Sequence, residues 1–349
     1  MVPLLSLNAI KIKFIKHTFV KTVQSIISIL KMYKFSLLFL VVFIFSCTSE
    51  KKINEDVLKV SVDVEVDRFD EKFAKATPKD LGNLKKEYPY LFPVQYPDSI
   101  WHEKMNDTLQ IELEQEVAKV FSDFSEYEDE ITLLFQHLKY YFPKFQEPKI
   151  LTLISDVDYR NSIVLADTLL LVGLDNFLGS EHYFYEGISL YITKNLTPQQ
   201  LTPAIAETFA YQMVQPPQSR TFLDQMVYYG KIQYLKETLL PLFKPERILG
   251  YTEDEFNWAR ANEVEIWRYF VDREILYSTD PQLAPRFLNP APFSKFYLEL
   301  DNESPGRLGQ YIGWLIVKAY AKNNDASLAQ VLSTSGEEIF KNSKFKPQK

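Results

Sequence analysis

An uncharged apolar run from Phe35 to Phe45 stops just short of Cys47, the only cysteine in the chain, and this junction decides which part of the sequence has to fold. Upstream of it stand six lysines (Lys11, Lys13, Lys16, Lys21, Lys31 and Lys34) and no acid, whereas all 46 Asp and Glu residues lie downstream. Lys31-Met32-Tyr33-Lys34 gives the run a positive flank. The run itself is too short to span a bilayer, so it reads as an export signal and not as a stable transmembrane helix. With one cysteine, no internal disulfide can form, and whatever folds beyond it must rely on its core.

The residues Ile44-Phe45-Ser46-Cys47 resemble the lipobox of bacterial lipoproteins, in which a small residue precedes a cysteine that is acylated and becomes the new N-terminus. An ordinary signal peptide cleaved by chance near a cysteine is the alternative, and the coincidence of apolar run, small residue and solitary Cys47 weighs against it. The expected organisation is an upstream extension over 1–31, a signal peptide over 32–46, a polar tether over 47–56 and one domain over 57–349. A long basic leader is the other reading of 1–31. Several acyl chains on Cys47 would hold the domain to a lipid bilayer, since one chain binds only marginally. The expected location is the cell envelope, lipid-anchored and facing the periplasm.

From Cys47 onward 33 basic residues face 46 acidic ones, a net charge of −13. So negative a chain disfavours nucleic acid as a partner. Aromatic residues are abundant and glycine is scarce, with 26 Phe, 21 Tyr and only 10 Gly, which favours helices packed through rings over a glycine-rich nucleotide-binding sheet.

Residues 57–66 (VLKVSVDVEV) alternate apolar and polar and predict a strand. Residues 78–101 hold four prolines among aromatics and predict an extended, packed segment. Apolar residues at three and four spacing from Leu109 to Phe142 predict a helical hairpin. Residues 150–154 and 162–174 are rich in β-formers and predict a small antiparallel sheet. Thr197-Pro198 and Thr202-Pro203 both have the form of a cap followed by proline, launching a helix to about Val214. Further helices are expected over 221–240, from the capping box at Thr252 to Leu276, over 305–322 with proline at the head, and in short pieces over 327–340.

Chemistry is sparse. The order of strand pair and then a helix carrying Ala206-Glu207-Thr208-Phe209-Ala210 resembles the zinc-protease layout, where two histidines one turn apart hold a metal and the glutamate between them is the general base. Here both ligand positions are alanine, and Tyr229 stands where a third ligand would come. A general base without a metal-bound water has no substrate to deprotonate. His102, His137 and His182 are not spaced as ligands, and no nucleophile elbow or phosphate loop occurs. Glu263 with Glu265, and Glu253, Asp254 and Glu255, read as solvated helix faces and dipole partners. Gly306, Gly309 and Gly313 would let a helix approach another backbone closely.

The lipobox, the run 169–179 (LLLVGLDNFLG), the helix 204–214, the segment 229–241 (YGKIQYLKETLLP) and the run 305–320 together resemble the gliding-motility-associated lipoprotein family (GldB-like) of the Bacteroidetes. That resemblance implies an α+β, predominantly helical, zincin-like fold with a small antiparallel sheet packed against a helical bundle. It also implies a role in gliding motility and the protein secretion linked to it, with other envelope proteins of that machinery as partners and no cofactor or metal. A candidate cleft lined by Glu207, Tyr211, Tyr229 and Arg307 would bind a peptide or partner protein. The alternative is a divergent metallopeptidase or other hydrolase using Glu207, alone or with a glutamate from the helix over 253–265. Asp98-Ser99-Ile100, Asp107-Thr108-Leu109 and Asp167-Thr168-Leu169 match an O-glycosylation triplet of that phylum, although short triplets arise by chance and a turn explains Asp167.

Overall fold

A computed structural model of the chain describes residues 53–299 and 301–348, which lie in one compact unit, 52–349. The expected signal segment, Cys47 and the start of the expected tether lie outside the described residues. In chain order the helices are α1 (Glu55–Leu58), α2 (Phe69–Lys75), α3 (Leu81–Glu87), α4 (Asp98–Asn106), α5 (Thr108–Val120) and α6 (Ser125–Tyr141). Strands β1 (Val66–Asp67), β2 (Lys149–Leu153), β3 (Ile163–Ala166) and β4 (Leu169–Gly173) form the sheet. Beyond it come α7 (Leu190–Thr193), α8 (Leu201–Met213), α9 (Phe222–Leu239), α10 (Pro245–Leu249), α11 (Glu253–Ala261) and α12 (Glu263–Asp272). The chain ends in α13 (Leu283–Phe287), α14 (Leu308–Asn324), α15 (Leu328–Ser333) and α16 (Gly336–Ser343). The architecture is thus α+β and mostly helical, and no helix of the described residues is long and apolar enough to cross a membrane.

The sheet is mixed, not antiparallel. Its order is β1-β2-β4-β3, with β1 and β4 parallel to β2 and only the β3–β4 pair antiparallel. The run 162–174 hides a tight hairpin: Ala166 pairs with Leu169 across Asp167-Thr168, and Asp167 takes a left-handed φ of 53°. Asp-Thr is not the Asn-Gly or Asp-Gly pair that announces such a turn. The inner strand β4 therefore returns alongside β2 in parallel. Leu170 and Val172 enter the main core with Ile150, while Leu151, Leu153 and Leu171 pack on the opposite face against Phe69, Phe73 and Tyr88.

The alternating run at 57–66 is not one strand. Asn54 caps α1 by accepting from the Asp56 N–H, and Val57 is fully buried. Val62, Val64 and Val66 do point alternately to the core, but ladder pairing is confined to Val66 and Asp67. The proline-rich segment also differs from its extended reading: α3 and α4 form around the prolines, and buried Tyr88 and Phe92 join Phe69 and Trp101 edge-on. The hairpin over 109–142 is present as α5 and α6, with Asp107 capping α5 by accepting from the Leu109 and Gln110 N–H groups. That cap supplies a structural reason for the Asp107 triplet.

Helix α9 is the axis of the molecule. Phe222, Leu223, Met226 and Val227 belong to a core shared with α12, α13 and α14, while Ile232, Leu235 and Leu239 belong to the core under the sheet. A helix buried this far round its circumference must give the polar groups it traps partners: Lys231 donates to the Leu332 and Thr334 carbonyls, and Gln233 to the Gln310 side chain. The expected helix over 305–322 starts later, at Leu308, because Arg307 sits in the left-handed region at φ 59° and the Pro305 carbonyl accepts from the Ser294 N–H. The helix expected over 252–276 breaks at Asn262, whose side chain donates to the Trp258 carbonyl. Thr252 does form the capping box with Glu255. Thr197 precedes a single 3-10 turn that runs into α8, whereas Thr202 lies inside α8 and gives its hydroxyl to Glu130 at 2.5 Å.

Candidate functional site

Helix α8 carries Glu207 toward a cavity of about 350 Å³. Its walls come from the loop before β3 (Tyr159, Ser162), the turn after β4 (Phe177), α7 and its exit (Tyr191, Lys194, Asn195), α8 (Gln200, Ala204, Glu207), α9 (Lys236) and the approach to α14 (Ala291, Gly306, Arg307). Every layer of the fold contributes, because α8 lies between the sheet and α9.

Glu207 and Lys236 form an ion pair at 2.6 Å. The Lys236 side chain is 3% exposed and that of Glu207 34%, so the ammonium is sealed between helices while the carboxylate faces the cavity. Glu207 is part of the cavity lining. Burial alone would raise the Glu207 pKa, yet Lys236 and then Arg307 outweigh it and hold the carboxyl below its ordinary value. At Lys236 burial wins and lowers the pKa, helped by the Arg307 charge and opposed by Glu207. The two shifts pull the pair in different senses, and the difference follows from position: the carboxylate has two cations near it, the ammonium one anion and less solvent.

Arg307 uses one nitrogen, Nη2, to donate to the Leu249 and Gly250 carbonyls, both at 2.8 Å, at the end of α10 where Gly250 turns left-handed at φ 63°. A cation at those terminal carbonyls is favourable. Among the described residues no carboxylate pairs with Arg307. Lys194 is held by both oxygens of Glu255 at 2.6 Å and lies over the Tyr251 ring.

Of the four residues expected to line a cleft, the structure brings Glu207 and Arg307 to this cavity and leaves the two tyrosines outside its lining. Tyr211, one turn on from Glu207, is 45% exposed, and burial of its ring side together with the Glu207 charge raises its pKa. Tyr229 packs against Tyr228 and touches both large cores. Lys236, Lys194 and Gln200 went unrecognised in the sequence. Lys236 lies on an ordinary-looking lysine-bearing helix, and its only signal was that α9 has no polar face for it to occupy.

Ala206 and Ala210, at the positions of the absent metal ligands, are fully buried in the core under the sheet. Among the described residues no three His, Cys, Asp or Glu side chains are grouped to hold a metal ion. His137 is buried on α6 with Nδ1 against the Leu133 carbonyl, and burial lowers its pKa; His182 opens the turn over 183–185, 3.5 Å from Glu116. The acids over 253–265 do not join Glu207 in the lining, though Glu255 reaches Lys194 from outside it. Glu263 is not a solvated face residue. It is 3% exposed, accepts from the Gln348 N–H at 2.8 Å, and burial raises its pKa.

A mixed sheet backed by helices, with an ion-paired acid facing a cavity and no grouped metal ligands among the described residues, defines a mostly helical α+β domain with a charged cavity beside α8. The family model described as gliding motility protein GldB matches residues 50–347, and the chain belongs to that family. No curated protein and no solved structure matches the chain.

Proposed function

We propose that the chain is a non-catalytic, lipid-anchored component of the gliding machinery and its associated secretion, acting by binding a peptide or partner protein in the cavity beside Glu207. The observation that carries this reading is the Glu207–Lys236 pair. A carboxylate bound by an ammonium is a poor general base, because its lone pairs and its lowered pKa both resist proton transfer. In this reading residues 57–349 are a single degenerate zincin-like domain. Its support is the placement of the motif helix α8 beneath a β3–β4 edge, with alanine at both ligand positions.

The test is metal content and peptidase activity of the purified protein. Sub-stoichiometric zinc and no hydrolysis beyond background are expected. Stoichiometric zinc with hydrolysis that disappears in Glu207→Ala would overturn the binding reading in favour of a divergent metallopeptidase.

Anchoring through Cys47 to a bilayer in the cell envelope, with the domain facing the periplasm, is the second part of the proposal. A fatty-acid analogue fed to cells should label the protein, and Cys47→Ser should abolish the label and move the domain out of the membrane fraction. Equal labelling of wild type and Cys47→Ser would refute acylation at this residue.

A further inference from the structure

The cavity carries more positive than negative charge, although the chain beyond its first 46 residues has a net charge of −13. Glu207 balances Lys236, and Glu255 balances Lys194, which leaves Arg307 as the unbalanced charge of the lining. We propose that Arg307 receives a carboxylate carried on an apolar group, as at the C-terminal end of a polypeptide. The inference rests on the binding reading above and names the chemistry the cavity takes.

The guanidinium is half committed. Nη2 holds the two α10 carbonyls, while Nε and Nη1 have no hydrogen-bond partner among the described residues. Both two-donor edges of a guanidinium, Nε with Nη2 and Nη1 with Nη2, include the nitrogen already committed, so Nε and Nη1 each offer a carboxylate oxygen a single charge-assisted hydrogen bond. Fixing Nη2 removes much of the side-chain freedom that Arg307 would otherwise lose on binding. Gln200 at the head of α8, and Gly306 and Arg307 at the head of α14, place the N-terminal ends of two helices in the same wall, and their partial positive charge has the sign to assist.

A single surplus cation suits a monoanion. A phosphate monoester, with about −1.5 to −2 charges, would be under-compensated there. Tyr159, Phe177 and Tyr191 supply aromatic walls for the group that bears the carboxylate. The volume of about 350 Å³ is at the small end of ligand sites, room for a chain end and not for a long segment.

Titration calorimetry of the full chain in detergent tests this with three probes: N-acetyl-alanyl-phenylalanine, its C-terminal amide, and 3-phenylpropionate. The acid peptide is expected to bind at least about tenfold more tightly than the amide. Arg307→Gln should erase that preference. Because Arg307→Gln also frees two helix-end carbonyls, Gln200→Glu provides a second variant, whose new carboxylate cancels the surplus charge at a helix head where an acid is favourable for folding. It too should erase the preference. A peptide acid stronger than phenylpropionate identifies a chain end, and equal affinity identifies a free aromatic acid. Equal binding of acid and amide would overturn the carboxylate assignment while leaving peptide binding in place, whereas no binding of any probe, or phosphate competing as well as the acid, would overturn the assignment outright.

Discussion

Gly313→Ala is expected to cost on the order of 3 kcal/mol or more and to lower the melting temperature by roughly 5 °C or more, measured by thermal or denaturant unfolding of the purified protein. The reason is a backbone contact. A Cβ built on Gly313 would lie 1.9 Å from the Met226 carbonyl oxygen, and one on Gly230 would lie 2.3 Å from the Gly313 carbonyl. Helices α9 and α14 touch main chain to main chain at this crossing, so neither side has a flexible side chain that could yield. Both helices are buried along the contact, and α9 also bridges two cores, hence separating them by a methyl group disturbs Met226, Val227, Ile312 and Ile316 together. Gly82→Ala is the control. Gly82 lies in α3 with nothing within 4 Å of its would-be Cβ, and there alanine should stabilise by about 0.5–1 kcal/mol. A Gly313→Ala protein as stable as wild type would show that the two helices do not cross as described.

The Gly306, Gly309 and Gly313 spacing pointed to such an approach without naming the partner, which shows where sequence reading stops here. Helical periodicity and caps located α5, α6, α9 and the start of α11 because those signals are local. The sheet was misread because its register depends on which strand returns beside β2, a long-range choice that the apolar run 162–174 does not encode. The site divided in the same way. Glu207 and Arg307 stood out by motif and by neighbouring glycines. Lys236 did not, since the partner of a buried acid 29 positions away is set by the packing of α8 on α9. Glu263 was misassigned for a related reason: its shielding comes from the C-terminal segment at Gln348, remote in the chain.

The Glu207–Lys236 pair should account for the largest charge-dependent loss of stability in the molecule. In Glu207→Ala the Lys236 side chain, 3% exposed, loses its counter-charge beside Arg307, at an expected cost of about 3 kcal/mol. Release of the ammonium proton limits that cost. Lys236→Met should cost less, about 1 kcal/mol, because the Glu207 carboxylate keeps the Arg307 field and can be hydrated from the cavity it faces. In Glu207→Leu with Lys236→Met both charges are gone and both sites are filled, so stability should return to within about 1 kcal/mol of wild type. The pH profile gives an independent sign. The folded pKa of Glu207 is depressed, so its contribution is fully present above the ordinary value of 4.5 and is lost as pH falls through the lower folded value. The wild type should therefore lose more stability on acidification than the double variant, and the gap between them should narrow or reverse below pH 4.5. A double variant as unstable as Glu207→Ala would mean that α8 and α9 need this ion pair for their alignment, and the cavity wall would then be a consequence of the pair and not merely its container.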